Sequence, residues 1–335
     1  METRKVQFIG GTTYTISLPK QWANQHSIEA GDKLYLQPNG DASLVVHTVS
    51  PQEDEVTTAH TTVDGYTDEN LRRTVQAFYT AGLDEFTLTV SDTFSTTQRQ
   101  FLTTAATNLI GLEVFEEKES RIVYKNVLEK EEESVRQSVL QLEYVAVWMH
   151  RNAVMAVVND DTDRAKRVIE RNDEVNRLFG LVNRQFKRAL GSLQESKQLG
   201  FDRPTIFDYY TTARQLERVA DHAERIATVA LRLEEPAAVD LMENFVSLAD
   251  QSREIVTGAA SVLLGSGSVE QAYTAFTEYD ELLEAIDRLD RSLNDSSASE
   301  AYLLALVLDS VRRTAESGGN IAEVMVQASV RNQDS

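Results

Sequence analysis

The chain has 335 residues, no cysteine, and 53 Asp and Glu against 33 Lys and Arg, a formal charge of −20. The length suits two or three domains with a sizeable core, and the absence of thiols excludes disulfides, thiolate zinc sites, iron–sulfur clusters and a cysteine nucleophile. No apolar run approaches the roughly 20 residues that span a bilayer, and Met1-Glu-Thr-Arg-Lys does not lead into a signal-peptide core, so the chain reads as cytoplasmic.

Charge is unevenly spread. Residues 1–50 carry four basic and four acidic side chains, whereas 51–125 are net −7 and 126–335 net −13. Such acidity repels polyanions at ordinary salt. It is also the composition of a protein solvated at molar salt, where the Debye length falls to about 3 Å; a salt-loving source and an acidic mesophile both fit. The first fifty residues are the candidate anion-facing surface.

In that segment Tyr14, Ile16 and Leu18 alternate with Thr15 and Ser17, and Leu34/Leu36 and Leu44/Val46 repeat the period of two. Turn signals lie at Gly10-Gly11, Gly31-Asp32 and Asn39-Gly40-Asp41, and Pro19 to Gln25 reads as one short helical turn. Fifty residues bury little core alone, so this unit needs a partner chain or the next domain. Residues 51–60 read as a solvated linker. An α+β stretch follows: a helix from about Thr67 to Ala81 closed by Gly82, a strand over Phe86–Val90, a helix from about Thr96 to Ile110 closed by Gly111, and a hairpin of Leu112–Phe115 with Arg121–Val127.

From about Glu129 the pattern is helical throughout. Six long segments are broken at Asn159–Asp161, Gly200–Pro204, Glu234–Pro236, Gly265–Gly267 and Asn294–Ser299. One carries Leu216, Val219, Ala223, Ile226, Ala230 and Leu233, another Leu241, Phe245, Leu248, Ser252, Ile255, Ala259 and Val262, the steps of three and four of an antiparallel bundle seam. The segment Arg214-x-x-Glu217-x-x-x-Asp221-x-x-Glu224 resembles Arg313-x-x-Glu316-x-x-x-Asn320-x-x-Glu323, 99 residues later, and Asn172–Leu178 resembles Tyr279–Ala285, so two three-helix units stand in tandem. The predicted fold class is multidomain and mainly α. Its domains are 1–50 (β), 56–127 (small α+β), 128–235 and 239–330 (the two bundle repeats).

Glu217, Asp221 and Glu224 share one helical face. Like charges at that spacing repel unless neutralised, either by a cation held between helices or by Arg214, Arg218 and Arg225 in a solvated ion-pair lattice. Gly318-Gly319, beside Glu316 and Asn320, reads either as close helix packing or as room for an ion. His150 and His222 lack a His-x-x-x-His partner and read as helix surface. Arg4, Lys5, Thr12, Thr13 and Lys20 are the candidate phosphate contacts, with Gly10-Gly11 read as a turn or a close approach to DNA. No nucleophile triad, Walker loop or dinucleotide fingerprint occurs, so the chain does not read as an enzyme.

Residues Arg4 to Lys20 with Trp22-Ala23 and Gly31-Asp32-Lys33-Leu34 resemble the AbrB/MazE/SpoVT swapped-hairpin DNA-binding domain. The tandem Glu217–Ile226 and Glu316–Glu323 motifs resemble the PhoU domain, and the order of parts resembles archaeal PhoU-type phosphate-uptake regulators. The resemblance implies an N-terminal swapped-hairpin homodimer presenting Arg4, Lys5, Thr12, Thr13 and Lys20 to promoter DNA. It also implies a divalent or iron/zinc-type metal on Glu217, Asp221, Glu224, Glu316, Asn320 and Glu323, no organic cofactor, and contact with a phosphate-transporter ATPase subunit. Three departures stand out: Ser17 where relatives place arginine, Asn320 in place of an aspartate, and Asn172 and Asn176 where carboxylates are usual. The leading expectation is a DNA-binding regulator of phosphate uptake. The alternative is a signalling adaptor that restrains the transporter by protein contact, its hairpin serving only dimerisation. A toxin-neutralising antitoxin and a metal-dependent phosphoesterase fit less well, lacking respectively a short disordered tail and an evident base or general acid.

Overall fold

The structure is a computed structural model that describes residues 2–38, 43–49, 56–128, 135–234, 239–294 and 301–333. Two compact units divide the chain, Met1–Val56 and Thr57–Ser335. The first holds two antiparallel hairpins, β1 (Gln7–Ile9) with β2 (Thr13–Thr15) and β3 (Tyr35–Pro38) with β4 (Leu44–His47), around the short helix α1 (Lys20–Gln25). The expected strand over Tyr14–Leu18 stops at Thr15, because β1 offers only three residues to pair within the chain. Gly10 and Gly11 turn the first hairpin at φ of 64° and 77°. A Cβ at either would meet nothing within 4 Å, so conformation, not crowding, requires glycine there. The expected turn at Asn39–Asp41 and most of the expected linker lie outside the described residues.

No described residue of this unit is buried. Phe8, Tyr14, Ile16, Leu36 and Val49 are all more than half exposed. Two-stranded sheets of this kind are marginal in water without a covering layer. Among its described residues, the unit therefore has no core of its own, as its length led one to expect.

The second unit opens with β5 (Thr58–Thr62), α2 (Asp68–Thr80), β6 (Glu85–Thr89), α3 (Thr96–Thr107), β7 (Leu112–Lys118) and β8 (Arg121–Asn126). They form a four-stranded sheet in the order β5-β6-β8-β7, parallel at β5/β6 and antiparallel elsewhere. Thr67 caps α2, and a reciprocal Ser95/Gln98 box caps α3. Leu71, Val75, Tyr79, Phe86, Leu88, Leu102, Ile122 and Tyr124 make the core between helices and sheet. The linker expected over 51–60 is corrected at its end: residues 58–60 belong to β5, whose Thr-Ala-His-Thr-Thr carries no apolar alternation to betray it.

Among the described residues six long helices follow: α4 (Val135–Asn159), α5 (Thr162–Gly191), α7 (Arg203–Ala230), α8 (Val239–Leu263), α9 (Val269–Asn294) and α10 (Ala301–Gln333). A short helix, α6 (Leu193–Gln198), which the sequence did not suggest, sits between α5 and α7 because Ser192 leaves helical geometry and caps a new turn. Helices α4, α5 and α7 pack on one another, as do α8, α9 and α10. The two sets join through α7 against α10 and α4 against α8. The seam residues Leu216, Val219, Ala223 and Ile226, and Phe245, Leu248, Ile255 and Ala259, are buried in one continuous core. The architecture is mainly helical, with a small N-terminal β region and a C-terminal tandem bundle. No helix among the described residues is long and apolar enough to cross a membrane.

Candidate functional site

Arg4, Lys5, Thr12, Thr13 and Lys20 are all exposed. Arg4 and Lys5 precede β1, whereas Thr12 and Thr13 lie at the turn end of the hairpin. Three strand residues separate these ends by about 10 Å, so the five do not form one cluster. Arg4 pairs with Glu2 in place of a free guanidinium.

The carboxylate face lies on α7 beside α5. Arg214 donates to both oxygens of Glu217 at 3.2 Å while its guanidinium stacks over Phe179, 4.9 Å from the ring centroid. Asn172 on α5 donates its amide to Glu224 Oε2 at 2.6 Å. Burial lifts Glu217 above the ordinary carboxylate range, reinforced by Asp221. Burial also raises Asp221, against the Asn172 amide. Glu224 rises for the same reason, with Asp221 adding to it. Asn172 Oδ1 is buried without a hydrogen-bond partner.

In the second repeat Arg313 donates to Glu316 at 2.8 Å and Gln327 to Glu323 at 3.2 Å. The amide of Asn320 reaches across to Gln215 on α7, 3.3 Å away. Among the described residues no three His, Asp or Glu side chains converge closely enough to hold a metal ion. The six sequence-predicted ligands are thus split between two helices and engaged by arginines and amides, and as arranged they do not make a ligand set. Asn176 is exposed.

Gly318 is a close-packing position: a Cβ there would stand 2.7 Å from Ile255 Cγ2 and 2.9 Å from the Val256 amide nitrogen on α8. The expectation for His150 is overturned. It is fully buried, facing α8, where Arg253 Nη1 donates to its Nδ1 at 3.0 Å. Its Nε2 is buried without a partner. Burial first, then Arg253 and His222, hold this imidazole well below its usual range, so it is neutral. His222 is half-buried with an unpartnered Nδ1. The available signal was apolar spacing: His150 stands four residues after Ala146 and three, four and seven before Ala153, Val154 and Val157, on the inward face of α4.

The fold thus defines a class: a small β unit without a core of its own, followed by an α+β layer and a tandem three-helix bundle with paired carboxylate faces. Two family profiles match the chain on these parts. Residues 139–230 match the PhoU domain, and residues 7–55 match MazE, the antidote-toxin recognition family of bacterial antitoxins. Among solved structures, the phosphate transport system regulatory protein PhoU from Streptococcus pneumoniae is similar at 17% identity and a TM-score of 0.48, covering 57% of this chain and 91% of that one. PhoU from Pseudomonas aeruginosa is similar at 23% identity and a TM-score of 0.45, covering 58% and 95%. Against curated protein sequences the chain finds no match.

Proposed function

We propose that this protein is a dimeric, DNA-binding regulator of phosphate uptake, in which the N-terminal unit holds the promoter and the helical bundle receives the phosphate signal through a partner protein. The observation that carries the reading is the placement of two domain matches on two separate compact units of one chain. The exposed apolar side chains of the N-terminal unit support the dimer, since a second copy would give them the core they lack. Its balanced charge, in a chain of −20, supports its role as the anion-facing part. The reading does not depend on a metal ion at the carboxylate faces.

Fluorescence anisotropy with DNA from phosphate-transporter promoters tests it, in about 2 M KCl so that non-specific phosphate contacts are screened. Full-length protein binds and a chain starting at Thr57 does not. In about 0.2 M KCl, where phosphate contacts still contribute, the variant Arg4→Ala/Lys5→Ala stays dimeric and loses at least about tenfold in affinity, as expected for two lost phosphate contacts. Unchanged binding would overturn the assigned face.

A second reading, an adaptor that restrains the transporter by protein contact, is favoured by the −20 charge and by Ser17 before Leu18-Pro19. Co-purification with the transporter's ATPase subunit in nuclease-treated extract, together with no promoter binding, would establish it in place of the first.

A further inference from the structure

We propose that strand β5 is a second dimer contact: the β5 edges of two copies pair antiparallel about His60 and join two four-stranded sheets into one. The inference rests on the dimer reading above and is independent of DNA binding.

The two edges of the sheet differ sharply. Edge strand β7 carries Glu113, Glu116, Glu117 and Lys118 and a bulge between Val114 and Glu116. Ion pairs of Glu116 with Lys118 and of Glu117 with Arg99 lie over it. Charges and bulges of this kind are how sheets block pairing with other chains. Edge strand β5, Thr58-Ala59-His60-Thr61-Thr62, has none of these devices: no Lys, Arg, Asp, Glu or Pro, and an unbroken register with β6 from Thr58↔Glu85 to Thr62↔Thr89.

The strand is also complementary to itself. A two-fold axis through His60 sets Thr58 opposite Thr62 of the partner subunit and Ala59 opposite Thr61 of the partner subunit. Thr58, His60 and Thr62 stand exposed on the sheet's outer face, whereas Ala59 and Thr61 are half-buried towards the helices. Threonines facing across a strand pair favourably, and no like charges meet. A slip of one residue would turn the outward side chains inward, which excludes that register. The tether acts in the same direction. Unit one ends at Val56 and β5 begins at Thr58, so in copies joined through that unit β5 is the first element after the joint, and pairing becomes an intramolecular event at high effective concentration.

The chain contains no cysteine, which makes the test clean. Facing Cα atoms in an antiparallel pair lie roughly 4.5–5.5 Å apart, inside the range of roughly 4.4–6.8 Å that a disulfide spans. Mild oxidation of full-length His60→Cys therefore gives a covalent dimer in at least about tenfold the yield of Thr87→Cys, one strand of about 4.8 Å further from the axis on each side. A second measurement is hydrogen exchange of β5 amides. Those that face away from β6 are protected in the native dimer and exchange at least about tenfold faster in His60→Lys, where like charges would face each other. A protein that sediments as a dimer yet cross-links no better at His60 than at Thr87 would overturn the β5 contact and leave the dimer reading standing. A native protein that sediments as a monomer would overturn both. Protection of β5 by a different protein, with no His60 cross-link, would also overturn it.

Discussion

At the scale of single residues, Glu143 is the carboxylate most at odds with its surroundings. It lies on α4 midway between Arg136, which donates to the Leu264 carbonyl at the end of α8, and His150, which meets Arg253 further back along α8. That stripe is turned towards the neighbouring helix, and burial lifts the Glu143 carboxyl from 4.5 to about 7. The folded state therefore holds the proton more tightly than the unfolded chain. Its stabilisation is complete below the unfolded value of 4.5 and is lost as pH rises through about 7. A shift of this size corresponds to at most about 3 kcal/mol, and residual water access reduces it to roughly 1–2 kcal/mol. Glu143→Gln, which keeps the shape and removes the charge, is accordingly more stable than the native protein by that amount at pH 8. Below about pH 4.5 the two converge, because the native carboxyl is then protonated as well. Urea unfolding at the two pH values checks this. A gap that is equal at both would show that the amide acts through packing rather than protonation. Asp221 and Glu224 act with the same sign.

Elements differ in how much of them can be read from sequence, and the glycine pair on α10 shows why. Gly318 and Gly319 look alike in the chain, yet only Gly318 faces the α8 backbone. The nearest atom to a Cβ on Gly319 is Tyr279 Cγ at 3.8 Å, an ordinary contact. Gly318→Ala therefore costs roughly 1–3 kcal/mol through overpacking against a helix backbone that cannot rotate away. Gly319→Ala is neutral or stabilises by up to about 1 kcal/mol through helix propensity. Thermal melts of the two variants check the contrast, and equal effects would mean α8 and α10 are further apart than described. The long helices were legible because Leu216, Val219, Ala223 and Ile226 repeat a spacing that only one face of a helix satisfies. Strand β5 was not legible, since Ala59 is its one apolar residue, and α6 was not, since six mostly polar residues carry no seam. At the candidate site the carboxylates were legible as a face of α7, whereas the Asn172–Glu224 and Asn320–Gln215 contacts are pairings across helices that spacing along one chain does not encode. His150 was misread for the same reason: its burial depends on α8, more than a hundred residues away.

Across the whole unit Thr57–Ser335, the α+β layer is fastened to the bundle by two arginines of α5. Arg184, 1% exposed, donates to the carbonyls of Tyr79 and Leu83 at 2.9 and 2.8 Å, at the C-terminal end of α2. Its guanidinium lies 5.2 Å from the Tyr79 ring centroid and 3.6 Å from Asp84. Arg188 pairs with Asp84 and reaches Glu195 on α6 at 2.5 Å. Asp84 in turn accepts from the amide and hydroxyl of Thr57 at 3.0 and 2.9 Å. Burial works against the Asp84 carboxylate, but Thr57 and Arg188 outweigh it and hold its pKa below the ordinary value. The first residue of the unit is thereby linked through Asp84 and Arg188 to the bundle. Gly82, at φ +93° and with Arg188 Cγ 2.7 Å from where its Cβ would be, is held as glycine by both conformation and space. Replacing Arg184 with Leu leaves two helix-end carbonyls without this donor and Asp84 without one of its cations. Removing one partner of such a buried set costs about 3–5 kcal/mol. The loss falls on the joint and not on either core, so the expected outcome is a change in cooperativity as well as in stability. Differential scanning calorimetry of the Thr57–Ser335 chain should show one transition for the native sequence. For Arg184→Leu it should show a separate, earlier transition of the α+β layer, with calorimetric and van't Hoff enthalpies no longer equal. A single transition at an unchanged midpoint would mean that the apolar contacts of α2 with α5 hold the layer without the arginine.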